Sequence, residues 1–222
     1  MQLSVSAEDS LLALYRMAER GEAPTTSGLA RDLGVADSTV TAMIQRLARK
    51  KLLNYRARRE ISLSDTGQNV AARLIRRHRL LETYLWVHLG YSLGEVHAEA
   101  EQLEHAVSDT FVDRLSRILG CPNVDPHGDP IPDTDGKHAT RLLRPLSDAR
   151  PGQTNKLAQV LISSPEVLSY LEGIGLHIGQ RVEVVDAVPQ AGVLHVRLGG
   201  AQHALDRETA RQLLIETTEP IS

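Results

Sequence analysis

With 222 residues, 41% of them hydrophobic, the chain is long enough to bury a substantial core and too apolar to be a disordered tail. Aromatic residues make up only 3% and the formal charge is −3, so the interior must be built from Leu, Val, Ile and Ala, which suits helices better than an all-β sandwich. The single cysteine, Cys121, excludes an intrachain disulfide, no apolar run reaches the roughly 20 residues of a membrane span, and MQLSVSAEDS has no secretory-signal character; together these indicate a cytoplasmic protein with no membrane partner.

Residues 6–20 are expected to form a first helix, with Ser6 as N-cap, Leu11, Leu14, Tyr15 and Ala18 on one stripe, and Gly21 ending it. Residues 25–33 predict a short second helix stopping at Gly34, and residues 37–51 a third with Val40, Ile44 and Leu47 inward. The last two, joined by a tight Gly-containing turn, make a helix-turn-helix. Residues 52–55 and 61–63 read as strands around the basic turn RARRE, where a winged variant carries its wing. Helical periodicity resumes over residues 66–89 and again over 93–119. A Pro-, Gly- and Asp-punctuated stretch, GCPNVDPHGDPIPDTDGKHATRLLRP, then reads as irregular linker. From Ser147 onward, short alternating segments such as RVEVVDA and VLHVRL, with one brief helix around residues 166–172, indicate a small β-rich domain.

Charge is distributed unevenly. Residues 25–59 carry eight Lys or Arg against Asp32 and Asp37, whereas residues 93–135 carry ten Asp or Glu against Arg114 and Arg117. A basic helix-turn-helix suits double-stranded DNA: the start of its second helix meets base edges while flanking cations hold phosphates. Ser38, Thr39, Thr41 and Gln45 are the candidate base contacts, Arg49 a candidate backbone contact, and the wing residues Arg56, Arg58 and Arg59 candidates for the neighbouring backbone or minor groove. One such domain has a small footprint, so a homodimer on a palindromic operator is expected, with the helices after residue 66 as the interface.

In the acidic half, EVHAEAEQLEHAVSD places His97, Glu101, Glu104 and His105 within an arc of roughly 100° on a helix, beside the apolar stripe of Val96, Ala100, Leu103 and Val107. Carboxylates held together at the edge of a core repel unless a cation or shared proton intervenes, and imidazoles beside them complete a coordination sphere. His78 and Glu82, one turn apart on the preceding helix, form a second such group, and Asp9 could reach the site from the first helix. The residues leave other readings open: a metal-dependent hydrolase using the Glu/His cluster, or a metal-binding protein-interaction module. The run from Glu101 to His105 lacks the first His of an H-x-x-E-H zinc protease, and no phosphate loop or nucleophile elbow is present.

A winged helix-turn-helix followed by HRLLETYL, VHAEAEQLEHAVSD and HGDPIP resembles the diphtheria toxin repressor family of metal-dependent transcriptional regulators. The resemblance covers nearly the whole chain. It implies a mainly α protein with a smaller β part, divided into a winged DNA-binding domain (1–65), a helical dimerisation and metal-binding domain (66–140) and an SH3-like, FeoA-like domain (141–222). It also implies a regulatory site of Asp9, Glu101, Glu104 and His105 and an ancillary site of His78, Glu82 and His97, with His78 able to serve either. Iron-sensing members of that family carry Met and Cys where this chain has Asp9 and Glu101, and manganese-sensing members carry carboxylates at both. The resemblance therefore implies a repressor of metal-uptake genes with Mn2+ as corepressor and Fe2+ as the alternative. The chain departs from the manganese branch at Leu12, where a second helix-1 Glu is usual. Some relatives add a Glu and a Gln from the third domain to the ancillary site; only Glu166 stands near that register here.

Overall fold

A computed structural model describes residues 3–56, 60–188 and 192–217, which divide into two compact units. The first comprises the chain up to His78 together with Pro132–His138; the second comprises Arg79–Ile131 and everything from Ala139.

The first unit starts with helix α1 (Val5–Glu19), then α2 (Thr26–Asp32) and α3 (Asp37–Arg49). The N-cap of α1 is Ser4, not Ser6: Ser6 already lies inside the helix, where its carbonyl accepts the Ser10 hydroxyl. Thr25 caps α2 by accepting from the Gly28 amide, a local bond that offsets one of the orphan donors at the helix start. Between α2 and α3 the chain turns through Gly34 at φ +64°, a left-handed conformation that a side chain would strain, while the Gly34 and Val35 amides return to the Arg31 and Ala30 carbonyls. The helix-turn-helix geometry follows from that turn. Ser27 donates to Asp37 across it at 2.7 Å.

Strands β1 (Leu53–Arg56) and β2 (Glu60–Leu63) pair antiparallel, with Leu53 opposite Leu63 and Arg56 opposite Glu60. The tip of the expected wing, including Arg58 and Arg59, lies outside the described residues. Helix α4 (Asp65–Leu89) follows, and the division between the units falls within it. Gly67, in its first turn, lies so close to the preceding segment that a Cβ would stand 1.9 Å from the Leu52 carbonyl oxygen. Leu11, Leu14, Leu29, Ile44, Leu47, Leu52 and Ile75 are almost wholly buried together, each stabilising the unit by about 1.5–3 kcal/mol relative to exposure. The Pro132–His138 segment packs into this same unit, Arg76 donating to the Pro132 carbonyl at 2.7 Å.

In the second unit the rest of α4 packs with α5 (Leu93–Glu104) and α6 (Asp109–Ile118) around Leu80, Leu81, Leu85, Val96, Ala100, Val112, Leu115 and Ile131. The single helix expected over residues 93–119 is two helices. Its apolar stripe continues in phase, but Ser108 accepts from the Phe111 amide as the N-cap of a new helix, and a cap of that kind wins over continued periodicity.

The carboxy-terminal part builds one antiparallel sheet from β3 (Leu143–Pro145), β4 (Thr154–Val160), β5 (Arg181–Val188), β6 (Val193–Leu198), β7 (Ala201–Asp206) and β8 (Leu213–Glu216), in the order β3-β8-β4-β5-β6-β7. This is the β-rich domain expected from the alternation, with the SH3-like form that the resemblance implied. Register shifts after Leu157 and Val184 mark bulges that bend β4 and β5. Helix α7 (Pro165–Gly173), capped by Ser164 with Pro at its start, lies where a helix was expected; α8 (Arg207–Gln212), capped by Asp206 on the Thr209 amide, was not anticipated. Leu93, the first residue of α5, is part of the core of this domain, its amide donates to Glu172 on α7 at 3.0 Å, and Gly94 abuts Pro165. Among the described residues, no helix is long and apolar enough to cross a membrane.

Because the Leu52 carbonyl leaves no room for a side chain at position 67, Gly67→Ala should destabilise the first unit by about 2 kcal/mol or more. Thermal unfolding of the purified variant, compared with Gly173→Ala, which meets nothing within 4 Å, checks this.

Candidate metal centre and nucleic-acid face

Helix α5 starts in a capping box: the Ser92 amide and hydroxyl both donate to Glu95, at 2.9 and 2.6 Å, and these bonds hold the Glu95 carboxyl below its usual pKa. Val96 and Ala100 face the core at 0% exposure, which turns His97 and Glu101 to the edge of the same helix. There the imidazole of His97 meets a carboxylate on either side, Nδ1 3.0 Å from Glu82 Oε1 and Nε2 3.3 Å from Glu101 Oε1. The His97 side chain is 49% exposed, whereas that of Glu82 is only 4% exposed, so the arrangement runs from the interior to the surface. His78, 1% exposed, lies one turn before Glu82 on α4 and on the same face of that helix.

The second group is at the end of α5. Glu104 is the last helical residue, its side chain 5% exposed, and His105 is the C-cap, with its Nε2 3.5 Å from Glu104 Oε1. Both therefore sit at the end of α5, just before the Ser108 cap that starts α6, not in mid-helix. Asp9 lies on α1 of the first unit and is half-buried. Leu12, one turn along, is 3% exposed within the apolar core of that unit, so hydrophobic packing fills the position and no carboxylate is available there. Glu166 is exposed and accepts the Ser164 hydroxyl at 2.6 Å, which holds its carboxyl below the usual range and engages it at the start of α7.

The donor set of these groups is carboxylate oxygen and imidazole nitrogen. Hard and borderline donors of this kind fit a divalent cation such as Mn2+ or Fe2+; the one thiol, exposed Cys121, lies beyond α6.

On α3, Ser38, Thr39, Gln45 and Arg49 are exposed, as a DNA-facing helix requires. Thr41 is only half-exposed, and its hydroxyl donates to the Asp37 carbonyl at 2.9 Å, so it serves the helix backbone. Arg56 is exposed at the end of β1. Two features escaped the sequence reading. Arg46, also exposed, reaches Ser4 at 3.2 Å and ties α3 to the start of α1. A buried ionic group also joins Arg79 to Asp125 and Asp129, each at 3.7 Å; the sequence marker for it is the Asp-bracketed DPHGD turn, whose first carboxylate accepts the His127 and Asp129 amides.

Three family profiles match consecutive parts of the chain: the iron dependent repressor N-terminal DNA binding domain over residues 2–61, the iron dependent repressor metal binding and dimerisation domain over 64–133, and the FeoA domain over 144–217. The iron-dependent repressor IdeR of Mycobacterium tuberculosis is 28% identical over 227 residues, spanning 97% of this chain and 98% of its own length. The diphtheria toxin repressor of Corynebacterium diphtheriae is 28% identical over 194 residues, 82% of this chain and 84% of that protein. Among solved structures, a manganese-dependent transcriptional repressor in complex with manganese is 37% identical, covers 95% of this chain and 99% of its own, and superposes with a TM-score of 0.86. The repressor ScaR with bound Cd2+ is 32% identical, with 95% and 98% coverage and a TM-score of 0.76.

Since Ser108 starts the helix that follows Glu104 and His105, Ser108→Ala should lower stability by about 1 kcal/mol. Urea denaturation followed by circular dichroism measures it, and Ser108→Asp, which restores a capping oxygen, should recover most of the loss.

Proposed function

Because the chain belongs to the iron-dependent repressor family that includes the diphtheria toxin repressor, and is thus a metal-dependent repressor of transcription that binds double-stranded DNA as a homodimer, we propose that Mn2+ is its corepressor, with Fe2+ the alternative. The observation that carries this reading is the contact of His97 with the carboxylates of Glu82 and Glu101: oxygen-rich donors at the edge of the helical core, with no sulfur among them. The name of the manganese-bound relative supports manganese, while the iron-dependent repressors and the cadmium-bound ScaR are related at comparable identity.

In this proposal Asp9, Glu101, Glu104 and His105 form the regulatory site, and His78, Glu82 and His97 the ancillary one. Residues 1–65 read DNA, 66–140 dimerise and bind metal, and 141–222 form the accessory domain. A bound divalent cation supplies positive charge that neutralises the carboxylates and lets them share one centre. Asp9 on α1 would hold the cation by its carboxylate, together with the carboxylates of Glu101 and Glu104 on α5 and the imidazole of the C-cap residue His105, so ligation would favour whichever spacing of the two winged domains fits both half-sites of a palindromic operator. Ser38, Thr39, Thr41 and Gln45 contact base edges, the Thr41 hydroxyl also bonding the Asp37 carbonyl, and Arg49, Arg56, Arg58 and Arg59 hold the neighbouring DNA backbone. The targets are genes of manganese or iron uptake, and the place of action is the cytoplasm. The relatives are repressors, and a hydrolase built on the same Glu/His groups has no support from them.

Fluorescence anisotropy on the DNA upstream of the gene, titrated with Mn2+, Fe2+ and Zn2+, tests the assignment; binding that is indifferent to metal would overturn it. Glu104→Ala should remove the metal-dependent gain in operator affinity, a coupling of about 5- to 150-fold, while size-exclusion chromatography still shows a folded dimer. Arg49→Ala should weaken binding to all sequences and reduce the salt slope by about 1. Thr39→Ala should instead change the ranking of operators by about 1–3 kcal/mol per altered base pair, read from the same anisotropy assay on variant duplexes.

A further inference from the structure

The ionic group around Arg79 belongs to neither metal site, yet it adjoins one of them and is held from the other side by the carboxy-terminal sheet. Arg79 is 3% exposed and follows His78 directly on α4. Its Nε stands 3.7 Å from Asp125 Oδ2, its Nη2 3.7 Å from Asp129 Oδ2, and its Nη1 donates to the Pro130 carbonyl at 2.5 Å. Asp125 is equally buried. Its Oδ1 accepts the His127 and Asp129 amides, both at 2.9 Å, while its Oδ2 has no hydrogen-bond donor. Burial pushes the Asp125 carboxyl well above its usual pKa, the charges of Asp129 and Glu82 push the same way, and Arg79 opposes them. Arg79 and Glu82 stand three residues apart on α4 and are neighbours on one side of that helix, so Arg79 joins the Asp125 loop to the Glu82 position.

The other side of this loop is gripped by β4. Gln159 donates its side-chain amide to Asp129, the Val160 amide donates to the His127 carbonyl at 2.8 Å, and Arg141 donates to the carbonyls of Gly128 and Ala158. Gly128, at φ +85°, approaches the Ala158 carbonyl so closely that a Cβ would stand 2.2 Å away. The bulge in β4 falls between Leu157 and Gln159, where it aims Gln159 at the loop.

We propose that the carboxy-terminal domain sets the metal affinity of the Glu82/His97 site without donating a ligand, by holding Asp129 through Gln159 and thereby fixing Arg79, the neighbour of Glu82 on α4. Gln159, Asp129 and Asp125 are positioning residues in this scheme, and the linkage runs both ways: a cation that orders Glu82 orders its neighbour Arg79, and with it the loop's hold on the sheet. The inference rests on the metal reading of Glu82 and His97.

The test uses the full-length chain and a Gln159 series. Gln159→Ala removes the donor to Asp129, Gln159→Lys replaces it with a cationic one, and Gln159→Glu sets like charges together. Without metal, hydrogen exchange at the His127, Asp129 and Val160 amides should quicken in the Ala and Glu variants and stay slow in the Lys variant. In Mn2+ titration calorimetry, affinity at one site should fall about 10-fold in Gln159→Ala, further in Gln159→Glu, and stay near wild type in Gln159→Lys. Equal affinities across the series, or Ala and Lys variants that behave alike, would overturn the proposal. Glu82→Gln separates this from failure of the metal reading: if it leaves the Mn2+ stoichiometry unchanged, the site assignment falls and the proposal with it; if it removes one Mn2+ while the Gln159 series is flat, only the proposal falls.

Discussion

A carboxylate at 4% exposure inside a helical core has to be met by hydrogen-bond donors or positive charge, because an ionised group left bare in that environment costs several kcal/mol. Glu82 is such a group, and His97 meets it at 3.0 Å from the neighbouring helix. The rest of the helical region is arranged around that requirement. Leu81 and Leu85 on α4 and Val96 and Ala100 on α5 pack the two helices face to face, and the register that buries them delivers the imidazole to the carboxylate. The apolar contacts supply the stability; the polar contact gives the buried carboxylate its partner.

The two ends of the chemistry are built differently. On α3 the functional side chains are exposed and largely without fixed partners, as suits groups that exchange water for bases and phosphates. On α4 and α5, Glu82 and Glu104 are buried and His97 and Glu101 exposed, but the groups already touch one another, so the proposed site would need little reorganisation to take an ion. Asp37 and Ser27 between α2 and α3, and Ser92 with Glu95 at the start of α5, are the small local bonds that keep each platform rigid.

Much of this was legible in the sequence because it is local. The stripe of Val40, Ile44 and Leu47, the Gly34 turn and the alternation of VLHVRL each encode one element, and each formed as expected. The His97 and Glu101 pair was legible for the same reason, being one turn apart on a helix whose other face is apolar. What escaped had no such periodic signal. The break between α5 and α6 depends on one serine oxygen, and the apolar pattern runs past it undisturbed. Helix α8 is six residues of mostly polar sequence, too short for periodicity to register. The grouping of Arg79 with Asp125 and Asp129 is a long-range contact between a helix and an irregular loop, which only the folded chain brings together.

Leu93 gives the carboxy-terminal domain a significance beyond its own fold. A residue of α5, the helix that carries His97 and Glu101, completes the hydrophobic interior of the SH3-like sheet, at 3% exposure. Without that domain Leu93 would stand exposed at the head of α5 and its amide would turn from Glu172 to water, so the carboxy-terminal sheet supplies part of the anchorage of α5.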